Sequence, residues 1–237
     1  LTLSLEALSR REEEAFPRSV RVLAALIETL LPPLDSAAPL LIAGLGSRSI
    51  TPDAVGPRSA DHVIATRHLI SRSPEFFASW RPVSVLAPGV LGQTGVETGE
   101  IVRGVLDHVR PRVVIAIDAL AAGRLSRLVR TVQLSDTGIV PGSGVNNARA
   151  ALDRQTLGVP VLSIGVPTVA DGGSLAHEIA QQLDGAQCEA LDDLSQPFII
   201  TTRDIDREVA DTARLIGYAV NMALQHISVE EIDLYLS

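Results

Sequence analysis

The stretch RVVIAIDALAA, residues 112–122, decides the fold class. A run of five apolar residues, Val113 to Ile117, leads directly into Asp118, and small side chains follow. A short apolar run without alternation is typical of a strand that is covered on both faces, as in a parallel sheet. The stretch therefore predicts a buried strand that ends at a carboxylate, with room beside that carboxylate.

Further apolar runs of strand length alternate along the chain with segments of helical spacing. We predict additional strands at 39–46, 82–89, 131–135 and 158–167, and helices at 9–31, 58–70, 97–110, 174–183 and 203–225. The alternation indicates the α/β class, with a mainly parallel, doubly wound sheet and helices on both faces. The length of 237 residues suits one large α/β domain or two small ones, and we expect a single domain. Within it we expect an N-terminal segment and helix at 1–38, a core at 39–170 and C-terminal helices at 171–237.

The composition narrows the class of protein. The formal net charge of -8 argues against a nucleic-acid-binding protein, which usually carries a basic face. No apolar run reaches the roughly 18 residues that a membrane-spanning helix requires. Cys188 is the only cysteine, so an internal disulfide and a cysteine metal cluster are both ruled out, and a reducing compartment is expected.

Two carboxylates are predicted to lie at one rim of the sheet. Asp118 ends a strand, and Asp53 lies in SITPDAVGP (49–57), just past the first strand of the core. Function in such sheets collects beyond the carboxyl ends of the strands. Two neighbouring carboxylates cannot easily both ionise, so such a pair can polarise a carbonyl group and activate water, as in aspartic proteases. The alternatives are a turn residue or helix cap for Asp53 and a turn acid at the strand end for Asp118.

Other polar and glycine-rich segments are weaker candidates. GLGSRS (44–49) half-resembles a dinucleotide-binding loop, but Ser49 replaces the third glycine, so no cofactor is expected. Asp136 follows the fourth strand and is either a third acid at the rim or a loop organiser. Ser143 lacks the glycine two residues before it that a nucleophile elbow requires. The histidines are scattered without metal-ligand spacing, so no metal site is expected.

Several long motifs together resemble one known family, the germination proteases of spore-forming Firmicutes. They occur in the order and spacing of that family and are GLGSRSITPDAVGPRSADHVIATRHL (44–69), RPVSVLAPGVLGQTGVETGEIVRGV (81–105), RVVIAIDALAAGRLSRL (112–128), VQLSDTGIVPGSGVNN (132–147) and TLGVPVLSIGVPTV (156–169). The tail FIITTRDIDREVADTARLIGYAVNMALQH (198–226) is also similar. Several long motifs in sequence are far more specific than any one of them.

The resemblance implies an atypical aspartic endopeptidase. In this sequence its catalytic aspartates match Asp53 of TPDAVG and Asp118 of AIDALA. It implies cleavage of small acid-soluble spore proteins during germination, in the spore core or forespore cytoplasm, by a homotetramer that is made as a zymogen. It also implies a fold like that of hydrogenase maturation proteases and a chain that is shortened at its N-terminus relative to the family.

Three questions stay open at this point. The sequence does not assign which aspartate is the acid and which the base. A metal-dependent relative could use the same acids as ligands, and an inactive sporulation protein could keep the fold and bind a partner. Substrate-binding candidates near the pair are Gly46, Asp136, Gly142 and Ser143.

Overall fold

Seven strands form a mixed sheet in the computed structural model, which describes residues 1–142, 149–173, 175 and 198–237. The strands are β1 (Thr2–Ser4), β2 (Leu40–Leu45), β3 (Val83–Gly89), β4 (Val113–Ala121), β5 (Thr131–Ser135), β6 (Val161–Asp171) and β7 (Ile199–Ile200). Their order is β1-β5-β6-β4-β2-β3, and β7 pairs with the end of β6.

Four neighbouring strands, β3, β2, β4 and β6, are parallel. The strands β5, β1 and β7 add antiparallel pairs on the β6 side. The strand predicted at 131–135 is therefore present as β5, and it runs antiparallel to β6 in a sheet that is otherwise mainly parallel. A parallel connection needs a crossover of about a dozen residues or more. Residues 122–130, which join β4 to β5, hold only a 3-10 turn at Leu125–Arg127, so the chain reverses instead.

Helices cover both faces of the sheet, which confirms the predicted α/β class. The helices are α1 (Glu6–Ser9), α2 (Ala15–Leu30), α3 (Val55–Asp61), α4 (Arg67–Arg72), α5 (Pro74–Phe77), α6 (Leu91–Thr94), α7 (Thr98–Val109), α8 (Arg154–Leu157), α9 (Ile205–Gln225) and α10 (Val229–Leu236). On one face α2, α3 and α9 pack against Ile42 and Ile115. On the other face α7 and α8 pack against Leu41 and Val114. Neighbouring strand residues point to opposite faces, so β2, which is covered on both faces, is apolar and buried throughout.

Two predicted helices are shorter than expected. The helix expected at 9–31 is interrupted, because Arg11 and Glu14 have positive φ values of 53° and 58° and α2 begins only at Ala15. The helix expected at 58–70 is split into α3 and α4 by residues 62–66. The helix predicted at 174–183 lies outside the described residues. Among the described helices, none is long and apolar enough to span a membrane.

The chain order of the parallel strands creates a crevice between β2 and β4. From β2 the chain moves to β3 on one side and then returns to β4 on the other side. The carboxyl ends of β2 and β4 are therefore a topological switch point, where ligands bind in open α/β sheets. Asp118 does not end its strand as expected, because β4 continues to Ala121 beside the long strand β6.

Candidate active site

The loop after β2 brings Asp53 back against the end of that strand. Gly46 has φ +106° and turns the chain, and a 3-10 turn at Thr51–Asp53 follows. A Cβ atom on Gly46 would lie 2.1 Å from the carbonyl oxygen of Asp53 and 3.0 Å from its Oδ1, so a side chain has no space at this position. The backbone N–H of Ser47 donates to Asp53 Oδ2 at 2.7 Å. Burial raises the pKa of Asp53, and the Ser47 hydrogen bond opposes this rise.

Asp118 lies within β4 and is only 5% exposed. Its Oδ1 accepts a hydrogen bond of 2.9 Å from the backbone N–H of Ala119. Burial, followed by the negative charge of Asp53, raises the pKa of Asp118 to about 7, and the Ala119 hydrogen bond opposes the rise. An aspartate in water has a pKa near 3.9. Asp118 therefore keeps its proton at mildly acidic pH, where a surface aspartate has lost it.

The two aspartates line one cavity of about 540 Å³. Its walls are mostly apolar, and Arg149 is the only cationic side chain among the described residues that line it. The apolar contributors include Ile50, Val90, Leu120, Val169 and Ile199. A largely apolar cavity with few polar groups is the usual form of a small-molecule or peptide site.

The structure brings together four of the six expected site residues. Asp53, Asp118, Gly46 and Gly142 line the cavity. Ser143 lies outside the described residues.

The structure speaks against Asp136 as a third acid at the rim, and its alternative role as a loop organiser stays a prediction. Its strand, β5, runs antiparallel to β6, and Ser135 is level with Ser163, two residues before the Gly165 that pairs with Asp118. Asp136 therefore follows β5 toward the amino ends of the parallel strands and is not among the residues that line the cavity. The direction of a strand decides at which rim the residue after it lies, and an apolar run in the sequence carries no direction.

Two polar networks that the sequence did not reveal support the cavity. Gln93 Nε2 donates to Ser47 Oγ at 2.9 Å and to Ser49 Oγ at 3.1 Å, and the hydroxyl of Thr51 donates to Asp206 Oδ1 at 2.7 Å. These contacts hold the loop that carries Asp53 from two sides. They join segments far apart in the chain, so no local pattern indicates them.

The second network fixes Arg149. Its Nη1 donates to Glu97 Oε2 at 2.8 Å, and its backbone N–H donates to the carbonyl of Pro141 at 3.1 Å. Glu97 is also the N-cap residue of α7, in a capping box with Glu100. Glu97 and Glu100 thus begin the helix that was predicted at 97–110, and the ion pair between Glu97 and Arg149 links this helix to the cavity.

Among the described residues, no group of three or more histidine, cysteine, aspartate or glutamate side chains is placed to hold a metal ion. The site holds two carboxyl groups of unequal burial, each of which accepts a hydrogen bond from a backbone amide in a largely apolar cavity. One of the two keeps a proton more readily than the other, so the pair can act as an acid and a base at the same pH.

The sequence profile of the germination proteases matches residues 1–184. The chain belongs to the germination protease family. The germination protease of Caldanaerobacter subterraneus subsp. tengcongensis is 39% identical, with 95% of this chain and 78% of that protein covered. The germination protease of Clostridium tetani is 34% identical, with 100% and 82% covered. That of Bacillus subtilis is 45% identical, with 75% and 49% covered.

Among solved structures, the chain is similar to a NiFe hydrogenase maturation protease from Thermococcus kodakarensis, with a TM-score of 0.45 and 16% identity. The alignment covers 83% of this chain and 99% of that one. Membership of the germination protease family confirms the resemblance that the motifs carried, and it makes the protein a peptide hydrolase of that family.

Proposed function

We propose that this germination protease family member is an aspartic endopeptidase that begins the degradation of small acid-soluble spore proteins during germination, with Asp53 and Asp118 as its catalytic pair. One observation carries the proposal. Two carboxyl groups line one cavity at the topological switch point, and the more buried one has a pKa of about 7.

The difference in burial supports separate roles for the two acids. Asp53 is the less buried and receives the Ser47 N–H, which stabilises its negative charge. Asp118 is almost completely buried, and the nearby charge of Asp53 further favours its neutral form. We therefore assign the base to Asp53 and the protonated acid to Asp118.

The proposed reaction adds water to a peptide bond. Asp53 removes a proton from the water while the water oxygen bonds to the carbonyl carbon, and Asp118 donates a hydrogen bond to the carbonyl oxygen as negative charge develops there. The tetrahedral intermediate then collapses. The C–N bond breaks, and the proton held by Asp53 passes to the leaving nitrogen. General acid and base groups placed in this way each contribute typically 10²- to 10⁴-fold to the rate.

The proposal is tested by incubating the purified protein with a small acid-soluble spore protein and identifying fragments by mass spectrometry. We expect cleavage by the parent protein and a loss of about 10²- to 10⁴-fold in kcat/KM for Asp53→Asn. Asp136→Asn is the matched control, because Asp136 lies outside the cavity wall. Cleavage by Asp53→Asn at the parent rate would contradict the assignment. Parallel reactions with a chelator test the metal-dependent alternative, which requires activity to fall when metal is removed.

The partners and location follow from the same proposal. We propose that the active form is a homotetramer in the spore core, derived from a zymogen. The supporting observation is family membership. Light scattering during size-exclusion chromatography tests the assembly, and a mass of four chains is expected.

A further inference from the structure

Strand β4 is longer than its neighbour β2 at the end where the aspartates lie. The last pair between the two strands is Gly44 with Ile117. Pairing between β4 and β6 continues for four more residues, from Asp118 with Gly165 to Ala121 with Val169. In the described part of the chain, β4 therefore has a strand neighbour on only one side from Asp118 onward.

Among the described residues, the turn at Gly46 leaves this edge without a strand partner. The positive φ of Gly46 turns the chain away from the sheet direction just after β2 ends at Leu45. The N–H of Ala119 then donates to the side chain of Asp118 instead of to a neighbouring strand. The N–H of Ala122 donates to Val169 on the β6 side. Because successive amides of a strand point to opposite sides, the N–H of Ala121 faces the open side.

The open edge forms part of the cavity wall. Residues 119–121 are all partly exposed and all line the cavity that holds the two aspartates. The side chains of Ala119 and Ala121 are small, so another backbone can approach closely. Ile50 and Ile199, which are 56% and 58% exposed, add apolar surface around this edge.

An unpaired strand edge is a template for another extended chain. Peptides that add to such an edge gain affinity from backbone hydrogen bonds and specificity from pockets for alternate side chains. A helix has already paired its backbone groups within itself, so it cannot use the edge. The occupant that fits is an extended polypeptide segment with its amides free.

We propose that the substrate polypeptide binds as an added strand along residues 119–121 of β4, which brings one of its peptide bonds to Asp118. This inference rests on the proposed peptidase function. A strand added to an edge uses every second backbone amide for pairing, because alternate amides point away from the edge. The enzyme would then form backbone hydrogen bonds with every second residue of its substrate.

A scan of the substrate backbone tests the proposal. Each amide of one peptide substrate, on both sides of the cleaved bond, is N-methylated in turn, and kcat/KM is measured with the full chain. We expect losses of roughly 10- to 100-fold at alternate positions, where a hydrogen-bond donor is removed and a methyl group is forced against the edge. The intervening positions serve as internal controls and are expected to react at nearly the rate of the parent peptide.

The outcomes separate this inference from the proposed function. If the unmodified peptide is not cleaved, the peptidase proposal fails and takes this inference with it. If that peptide is cleaved but N-methylation has no effect, or an equal effect at every position, only the strand-addition proposal is overturned.

A variant of the enzyme gives an independent readout. Ala121→Pro removes the outward N–H, and proline is tolerated at strand edges. We expect kcat/KM to fall about tenfold or more while the thermal midpoint stays within a few degrees of the parent value. A stable Ala121→Pro protein that cleaves at the parent rate would overturn the proposal. If this variant does not fold, the N-methyl scan decides alone.

Discussion

A carboxyl group that is only 5% exposed is costly to ionise, and Asp118 is in that position. Its pKa in the folded protein, about 7, lies above the unfolded value near 3.9. Between these two pH values the folded state binds more protons than the unfolded state. Its stabilising contribution is thus fully present below about pH 4 and is lost as the pH rises through about 7.

Asp118→Asn is therefore expected to abolish cleavage and to stabilise the protein at neutral pH. The gain over the parent should approach about 4 kcal/mol at pH 8, since each pKa unit is worth about 1.4 kcal/mol, and it should vanish below about pH 4. Urea denaturation of both proteins across this range measures it. A variant that is less stable than the parent at pH 8 would show that the ionised carboxylate makes a favourable contact.

The pair also predicts a pH profile for catalysis. As the pH rises through about 7, Asp118 loses its proton and kcat/KM should fall. At low pH, Asp53 becomes protonated and the rate should fall again, so the profile is bell-shaped with two steps that belong to the pair.

The variant Asp53→Asn removes the charge that helps to raise the pKa of Asp118. We expect the upper step of its residual activity to move to lower pH. Steady-state kinetics on one peptide substrate, from acid to alkaline pH, measures both profiles. A flat profile for the parent protein would contradict a shared-proton pair.

At the residue scale, the sequence predicted the positions of those site residues that a local pattern determines. Asp53 and Asp118 each come after an apolar run. Both line the cavity, in agreement with the prediction that they lie at one rim of the sheet. Arg149 could not be found in this way, because its partner Glu97 is distant in the chain. The sequence left two alternatives for Asp136, because the direction of a strand depends on the length of a connection and on its neighbours, not on the strand itself.

At the scale of secondary-structure elements, the turn between β2 and α3 leaves no space for a side chain at Gly46. Gly46→Ala would add a methyl group 2.1 Å from a backbone oxygen at a φ of +106°. We expect a loss of about 1–3 kcal/mol in the free energy of unfolding and at least a tenfold loss of activity, because Asp53 must move. Chemical denaturation and peptide cleavage measure the two effects.

Gly104→Ala is the matched control for this turn. Gly104 lies in α7, and an added Cβ atom meets nothing within 4 Å. Alanine in a helix interior is favoured over glycine by about 0.5–1 kcal/mol, so this variant should be slightly more stable and fully active. If Gly46→Ala behaved like Gly104→Ala, the turn would be more adaptable than its geometry indicates.

The boundaries of elements were less predictable than their existence. The apolar run at 113–117 indicated β4, but the strand continues into DALA because β6 pairs with it as far as Val169. The helix expected at 58–70 breaks where Asn221 accepts a hydrogen bond from the N–H of Ile64 and donates to the carbonyl of His62. In both cases a tertiary partner sets the boundary, and the local sequence does not contain it.

At the scale of the whole molecule, α9 connects the C-terminal part of the chain to the segment between β2 and β3. Asn221 is 2% exposed and makes both of these hydrogen bonds, to segments more than 150 residues away. Asn221→Ala should leave two backbone groups unpaired and lower the free energy of unfolding by about 2–4 kcal/mol. Denaturation curves measure this.

Arg207→Ala on the same helix provides the control, because its ion pairs with Asp204 and Asp211 are exposed. Exposed pairs contribute about 0–1 kcal/mol, so a small effect is expected. Equal effects from the two variants would mean that the break between α3 and α4 does not depend on α9. The division of the chain into an N-terminal segment, a core and C-terminal helices stays a prediction.

The unequal lengths of β2 and β4 also bear on which proteins can be digested. If the cavity accepts only a segment whose own backbone hydrogen bonds are broken, a substrate protein must unfold locally before it is cleaved. When opening is fast and reversible, the rate of cleavage follows the open fraction, which falls tenfold for every 1.4 kcal/mol of local stability. The enzyme would then cleave each protein at a rate set by how often that protein unfolds locally. Other, stably folded proteins would not be cleaved, and the enzyme would not need to recognise their sequences.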